Sequence, residues 1–130
     1  SLHLNKNIKK DFGLDVIAIY KRSENILNSE SKSKLEIVGS ADPGLFKNDY
    51  EKNLYKKIHT IRKYFSSIGR DEDYDESLKT LSSAKIEVNE FFDNVIVNDQ
   101  EELIKKNRLE LLKMLCKSFD NYFNFSKIEA

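Results

Sequence analysis

The sequence has few residues that interrupt helices and few that carry out catalytic chemistry. It contains one Pro, four Gly, one Cys, two His and no Trp among 130 residues. Because the tight turns of a sheet need Gly and Pro, their scarcity argues against a sheet and favours long helices. A single Cys cannot form an internal disulfide, which fits a reducing compartment.

Long apolar runs are also missing. No stretch approaches the roughly 20 apolar residues that a bilayer span needs, and the first ten residues, SLHLNKNIKK, lack the apolar segment of a signal peptide. We therefore expect a soluble, cytoplasmic protein without a membrane partner. The chain begins with Ser rather than Met, so we expect residues 1–130 to be a single domain taken from a longer chain.

Patterns typical of metal and nucleotide sites are absent as well. His3 and His59 have no partners at zinc-binding spacing. The acidic run at 71–76 starts like a calcium loop but carries Glu76 where that loop needs Gly. Cys116 falls on an apolar seam, which predicts a buried core side chain rather than a catalytic thiol. We expect no catalytic residue, metal or cofactor in this segment.

The overall charge conceals an asymmetry between the two halves of the chain. There are 22 basic and 22 acidic residues, which gives a formal net charge of zero. Residues 1–70 hold 14 basic and 8 acidic side chains, whereas residues 71–130 hold 8 basic and 14 acidic ones. Such asymmetry indicates a surface for a polyanion, although solvated charges on helices would give the same counts.

Apolar residues at helical spacing predict the first half of the fold. The first stripe runs from Val16 to Leu27 and should end near Asn28. A loop over 28–41 follows, in which residues 35–38 could be extended.

The second helix has two possible starts. Asp42-Pro43 is a typical helix beginning, and Asn48 with Glu51 has the spacing of a capping box. Gly69 should end this helix.

The second half of the chain predicts two more helical stripes. One runs from Leu78 to Val95 and could bend near Lys85, because β-branched residues crowd that segment. The other begins at Asn98-Asp99 and continues through Leu109 to Phe123. The expected fold is all-α, an antiparallel bundle of four or five helices.

Basic residues stand beside aromatic ones in several places. Tyr20 is followed by Lys21 and Arg22. In the second helix Tyr55 and Tyr64 alternate with basic residues, namely Lys56, Lys57, Arg62 and Lys63. The last helix opens with Lys105, Lys106 and Arg108. Unstacked RNA bases pack against Arg planes and Tyr rings while Lys holds phosphates. The wet faces of highly charged helices carry the same residues, so RNA binding is one of two interpretations.

Four short segments resemble a known family. FFDNVIV at 91–97 and NRLELL at 107–112 resemble the anticodon-binding helical domain shared by arginyl-tRNA synthetases and the beta subunit of bacterial glycyl-tRNA synthetases. YKRSENIL at 20–27 and DPGLF at 42–46 are similar to segments of the glycyl beta subunit alone. In this motif two Phe rings bury a large area at a helix end, and Asp93 is expected to cap a helix or to pair with a base such as Arg108.

The resemblance implies a function and a set of partners. The parent enzyme would be a glycine–tRNA ligase that uses ATP and Mg²⁺, with its catalytic core in an alpha subunit and with tRNA recognition in the beta subunit of a heterotetramer. This chain would be the non-catalytic, C-terminal part of the beta subunit and would bind the anticodon stem and loop of the glycine tRNA. Two alternatives stay open: a helical module that docks subunits or domains, and the equivalent domain of an arginyl-tRNA synthetase.

The resemblance and the basic patches together give a set of candidate RNA contacts. These are Lys21, Arg22, Asn25, Arg62, Lys63, Lys105, Asn107 and Arg108. Lys and Arg would hold the phosphate backbone, and stacking or polar side chains would contact the splayed bases. For Arg22 and Arg108 an internal role, in an ion pair or a helix cap, is an equal alternative.

Overall fold

In the computed structural model, the segments with apolar residues three or four positions apart form helices. The structure describes residues 2–30, 35–67 and 74–120. Side chains are described from residue 12 onward, with the exception of Tyr74. The elements are α1 (Leu2–Glu30), a 3₁₀ turn (Pro43–Leu45), α2 (Asp49–Ser67), α3 (Tyr74–Ser82), α4 (Lys85–Asn94) and α5 (Glu102–Asp120). These ranges contain no strand, residues 35–38 included, so the all-α prediction is confirmed. The expectations for Gly69, Phe123 and the side chain of His3 lie outside the described residues.

Contacts at both ends of α1 and α5 show that these helices are antiparallel. Lys105, near the start of α5, pairs with Glu30 at the end of α1, with 2.8 Å between Nζ and Oε2. Tyr20, ten residues earlier in α1, donates a hydrogen bond of 2.9 Å to Asp120 at the end of α5. The order of contacts is therefore reversed between the two helices.

The other helices complete an alternating arrangement. Glu51 meets Arg108 near the starts of α2 and α5, and Arg62 meets Ser118 near their ends, so α2 and α5 run in the same direction. Asp15 of α1 pairs with Lys85 at the start of α4, and Arg22 further along α1 lies over Phe92 near the end of α4, so α1 and α4 also run in the same direction. Successive segments α1, α2, α4 and α5 thus alternate in direction, as expected for an antiparallel bundle.

The central element of the bundle is α5. It packs against α1, α2 and the 3₁₀ turn, and polar as well as apolar residues along it are buried. The largest fully buried apolar side chains are Phe91, Phe119, Leu54, Ile58, Ile61, Leu81, Leu109, Leu111, Leu112 and Leu115. Each contributes about 1.5–3 kcal/mol through removal from water. No helix in the described part of the chain is apolar over a length that could cross a membrane.

The two predicted starts of the second helix have different roles. Asp42 accepts a hydrogen bond of 2.9 Å at Oδ1 from the Gly44 N–H, and with Pro43 it opens only the 3₁₀ turn. Asn48 accepts a bond of 3.0 Å at Oδ1 from the Glu51 N–H, which is the N-cap geometry. The helix α2 therefore begins directly after Asn48.

The predicted helix from Leu78 to Val95 is divided in two. A turn at Ser83 and Ala84 separates α3 from α4, next to the expected bend at Lys85. The hydroxyls of Ser82 and Ser83 donate to the carbonyls of Lys79 and Thr80, and such local bonds compete with continuation of a helix.

Two other helix ends differ from the prediction. The helix α1 continues two residues past Asn28. At the other end of the chain α5 starts three residues after Asp99. There the Asp99 carboxylate accepts a bond of 2.9 Å from the Glu101 N–H just before the first turn, so the chain turns before the helix begins.

Replacing Phe91 with Ala should lower the free energy of unfolding by about 3–5 kcal/mol, because the ring is fully buried and its removal leaves a cavity. The matched control is Ile86→Ala on the same helix, where the side chain is 66% exposed and the expected change is below about 0.5 kcal/mol. Urea unfolding followed by circular dichroism measures both. Equal losses in the two variants would contradict this core.

Candidate functional site

The residues predicted to contact RNA do not form one cluster. They lie in three groups: Lys21, Arg22 and Asn25 on α1, Arg62 and Lys63 on α2, and Lys105, Asn107 and Arg108 in the first half of α5. The helices α1 and α2 both pack against α5, and their direct contact with each other is slight at most. Each group therefore has its own surroundings.

The group on α1 is exposed. Lys21, Arg22 and Asn25 all reach solvent, and the Cζ atom of Arg22 lies 4.3 Å from the ring centroid of Phe92 on α4. A cation–π contact at an exposed site contributes about 0.5–1 kcal/mol. This contact joins the YKR and FFD segments, which lie about 70 residues apart in the sequence, where no local pattern indicates that they meet.

Tyr20, which precedes this group, has a structural role. Its hydroxyl donates to both carboxylate oxygens of Asp120, at 2.9 and 3.1 Å. Burial raises the pKa of Tyr20 far above its ordinary value, and hydrogen bonds with Glu24 and Asp120 raise it further. The hydroxyl therefore remains a proton donor that fastens α1 to the end of α5.

Asn107 binds the backbone of the long loop. Its Oδ1 accepts a bond of 2.6 Å from the Asp42 N–H, and its Nδ2 donates a bond of 3.0 Å to the Asp42 carbonyl oxygen. The side chain is buried. The amide thereby holds the residue that opens the 3₁₀ turn, and its polar atoms are used inside the protein.

Arg108 is buried in a network that joins three parts of the chain. Its Nε lies 3.2 Å from Oε2 of Glu51, and its Nη1 donates a bond of 2.7 Å to the Ile96 carbonyl oxygen and lies 3.3 Å from Oδ2 of Asp99. Only 6% of the Arg108 side chain is exposed, and none of the Glu51 side chain. Asp93, the expected partner of Arg108, is instead exposed. The internal alternative for Arg108 thus has direct contacts, and RNA binding by this residue stays a prediction.

Glu51 connects this network to the start of α2. While Oε2 faces Arg108, Oε1 accepts a bond of 2.7 Å from the Lys47 N–H, just before the helix. The carboxylate therefore satisfies an otherwise unpaired donor at the helix start and neutralises the buried guanidinium. The capping-box spacing predicts that Glu51 accepts from the Asn48 N–H, whereas the observed donor is the Lys47 N–H, one residue earlier. The spacing did not predict the pairing of Glu51 with Arg108.

Replacing Arg108 with Met should lower the free energy of unfolding by about 3–5 kcal/mol, because the Glu51 carboxylate would stay buried without its cation. Adding Glu51→Met should recover part of this loss, since no buried charge then remains. Lys63→Met, which removes an exposed cation, is the control and should change stability by at most about 0.5 kcal/mol. Urea unfolding that is equal in R108M and K63M would contradict the buried ion pair.

Lys105 is engaged in an ion pair at the junction of α1 and α5. Its Nζ lies 2.8 Å from Oε2 of Glu30, and 17% of the lysine side chain and 22% of the glutamate side chain are exposed. A pair of this kind contributes little stability. The cation is nonetheless balanced by a neighbouring anion, which weakens its attraction for phosphate.

Glu110 holds the long loop, and the sequence did not identify it. Its Oε1 accepts hydrogen bonds from three successive N–H groups, of Val38, Gly39 and Ser40, and its Oε2 lies 2.8 Å from Nζ of Lys106. Gly39 has a φ of +90°, which favours glycine. In the sequence, this turn was indicated only by Gly39, an isolated glycine in a polar loop.

The surroundings of Glu110 favour its charged form. Burial alone raises its pKa, but the hydrogen bonds from Lys106 and from the Ser40 and Gly39 N–H groups outweigh burial. The pKa of Glu110 therefore lies below its ordinary value of 4.5. A carboxylate with a lowered pKa in the folded state contributes stability above the pKa of the unfolded chain.

Replacing Glu110 with Gln should lower the free energy of unfolding at neutral pH by about 1–3 kcal/mol, because the loop loses its anionic acceptor. As the pH falls through the lowered pKa of Glu110, the unmodified protein loses the same contribution. The stability difference between the two proteins should therefore shrink below pH 4.5. Urea unfolding over a pH series measures it, and a difference that stays constant into acid would contradict the assignment.

Arg62 and Lys63 are adjacent in sequence but differ in environment. The Nε of Arg62 donates a bond of 2.9 Å to the Ser118 hydroxyl, and its Nη2 lies 3.3 Å from the Met114 carbonyl oxygen. Lys63 points into solvent. Arg62 therefore links α2 to α5, whereas Lys63 is placed to meet a partner.

The surroundings of the only cysteine do not favour nucleophilic chemistry. Cys116 is buried, as predicted, and burial, with the nearby charges of Glu24 and Asp120, raises the pKa of its thiol to about 12. A thiol, unlike a thiolate, is a weak nucleophile. Within the described ranges no three His, Cys, Asp or Glu side chains come together in a group that could hold a metal ion.

Comparisons with known proteins agree with the resemblance of the short segments. Residues 16–130 match the DALR anticodon binding domain. Over 125 residues the chain is 35% identical to the glycine–tRNA ligase beta subunits of Rickettsia typhi and Rickettsia prowazekii, and 34% identical to that of Rickettsia africae. Each alignment covers 96% of this chain and 18% of the relative, so the chain spans about a fifth of the length of these proteins.

Proposed function

Because the chain belongs to the DALR anticodon binding domain family, we propose that it binds the anticodon stem and loop of the glycine tRNA. The observation that carries this proposal is the family match over residues 16–130. The similarity to glycine–tRNA ligase beta subunits over 96% of the chain supports the choice of tRNA.

We further propose that the chain acts within a glycine–tRNA ligase of the cytoplasm. There the chain would form part of the beta subunit, which would assemble with an alpha subunit into a heterotetramer. ATP and Mg²⁺ would bind in other parts of that enzyme, where glycine is joined to tRNA.

The binding step needs cations for phosphates and flat groups for bases. Lys21 and Lys63 are exposed cations on different helices, and Arg22 presents a guanidinium that Phe92 supports. Arg62, Lys105, Asn107 and Arg108 have internal partners. We therefore propose that these four residues act mainly by positioning the helices and that exposed groups on α1 and α2 contact the RNA.

A docking module is the second candidate, and one observation favours it. Ile96 and Leu103, on either side of the α4–α5 turn, are 72% and 67% exposed. A contiguous exposed apolar patch marks a contact with another protein or domain, and these two side chains would belong to such a patch in a docking module. The glycyl relatives and the YKRSENIL and DPGLF segments favour the glycyl enzyme over an arginyl one.

Titration with two labelled tRNAs tests the proposal. The 130-residue chain, with its folding verified by circular dichroism, should bind the glycine tRNA, and affinity should fall as salt rises because bound cations release counterions from phosphates. A glycine tRNA with a changed anticodon should bind at least about tenfold more weakly, as expected for two or more lost base contacts. Fluorescence anisotropy at several salt concentrations measures both.

Equal affinity for both tRNAs, or absence of binding, would contradict anticodon recognition. Binding that does not respond to salt would contradict contact with the phosphate backbone. Either result would favour the docking module.

A further inference from the structure

One side of α2 carries a continuous basic surface. Lys52, Lys56, His59 and Lys63 follow one another at steps of four, three and four residues, which places them on the same side of a helix. All four are exposed. This surface, the outer face of α2, spans about 16 Å along the helix.

An aromatic support lies under the outer face. The rings of Tyr55 and His59 meet edge to face, with 4.4 Å between centroids and an interplanar angle of 74°. Phe46, in the loop before α2, meets Tyr55 in the same manner at 5.3 Å and 70°. Phe46 and Tyr55 are half-buried, so they hold the exposed His59 ring in a defined position.

The positive charge of this face is not neutralised within the described part of the chain. Lys52, Lys56 and Lys63 form no ion pair with any residue that the structure describes. Lys57, on the side of α2 that faces α4, lies 3.9 Å from Glu87. Lys56 and Lys57 line one groove with Glu87 and Glu90 of α4, so Lys56 lies at the edge of the outer face nearest these acids. Lys52, His59 and Lys63, which carry the rest of the outer face, do not line this groove.

The outer face is also fixed in place. Arg62 ties the second half of α2 to Ser118 and Met114 on α5, and the pair of Glu51 and Arg108 ties its start to α5. Binding groups on a rigid helix lose little conformational freedom when a ligand arrives.

We infer that the outer face of α2 binds unpaired nucleotides of an RNA loop. One base stacks on His59, and Lys52, Lys56 and Lys63 hold the phosphates beside it, which is the arrangement that single-stranded nucleic acids prefer. Phe92 on α4, the ring beside the α1 group, is already covered by Arg22, so that site offers less to a base. This inference rests on the proposed anticodon-loop function and names the surface that carries it out.

A charge-matched pair of variants tests the phosphate contacts. Lys52→Gln/Lys56→Gln/Lys63→Gln should weaken binding of the glycine tRNA by tenfold or more and lower the slope of log affinity against log salt by about 2 to 3. The control, Lys79→Gln/Lys85→Gln/Lys117→Gln, removes the same charge from exposed sites on α3, α4 and α5 and should weaken binding less than about threefold. Urea midpoints verify that both variants fold.

Two substitutions at one position test the stacking contact. His59→Ala should weaken binding about fivefold or more, because a base loses its ring partner. His59→Tyr keeps a ring and should restore most of the affinity. Cross-linking from a photoreactive uridine placed in the anticodon loop, mapped by mass spectrometry, should mark the peptide that contains His59 in the unmodified chain.

The outcomes of these experiments distinguish failure of this inference from failure of the proposed function. If the unmodified chain distinguishes the anticodons but the α2 variants bind like the control, or if the cross-link falls on α1, the inference is overturned and the proposed function stands. Unchanged binding by H59A overturns the stacking contact in the same way. If the unmodified chain does not distinguish the anticodons, the proposed function fails and this inference fails with it.

Discussion

The buried pair of Glu51 and Arg108 is the contact on which the arrangement of the bundle depends. It joins α5 to the start of α2, and through the Ile96 carbonyl the same guanidinium holds the turn between α4 and α5. A buried pair contributes little net stability compared with apolar packing, but loss of one partner is costly. The pair therefore fixes which ends of the helices meet more than it adds to the total stability.

A row of polar side chains on α5 extends this control to the long loop. Asn107 holds the backbone of Asp42, and Glu110 holds three successive N–H groups around Gly39. Polar groups at buried positions of a central helix need such partners, because an unsatisfied one would cost several kcal/mol. The loop and α5 thus satisfy each other's polar groups, and residues 107–110 of α5 are buried in the interior of the protein.

The sequence predicted the helices well and the roles of the charged residues less well. Helical spacing located α1, α2 and α5, and the cap at Asn48 depended only on neighbours in the chain. Arg108 and Asn107 appeared as candidate RNA contacts because their partners, Glu51 and Asp42, lie about 60 residues away. A local sequence pattern does not identify partners that are distant along the chain. For the same reason the sequence predicted neither the role of Glu110 nor the contact of Arg22 with Phe92. Conversely, the alternation of Tyr and Lys in α2 is visible in the sequence, and helical spacing alone places the lysines and His59 on one side. The ring contacts that join Phe46, Tyr55 and His59 are visible only in the structure.

The central claim is that α5 positions the helices while the outer face of α2 meets the RNA. Nuclear magnetic resonance of the isotope-labelled chain, titrated with an anticodon stem-loop RNA, tests it most directly. We expect the largest chemical-shift changes at the amides of residues 52–63, while the side-chain signals of Asn107 and Arg108 do not change. Large changes at Asn107 and Arg108, with α2 unaffected, would contradict it.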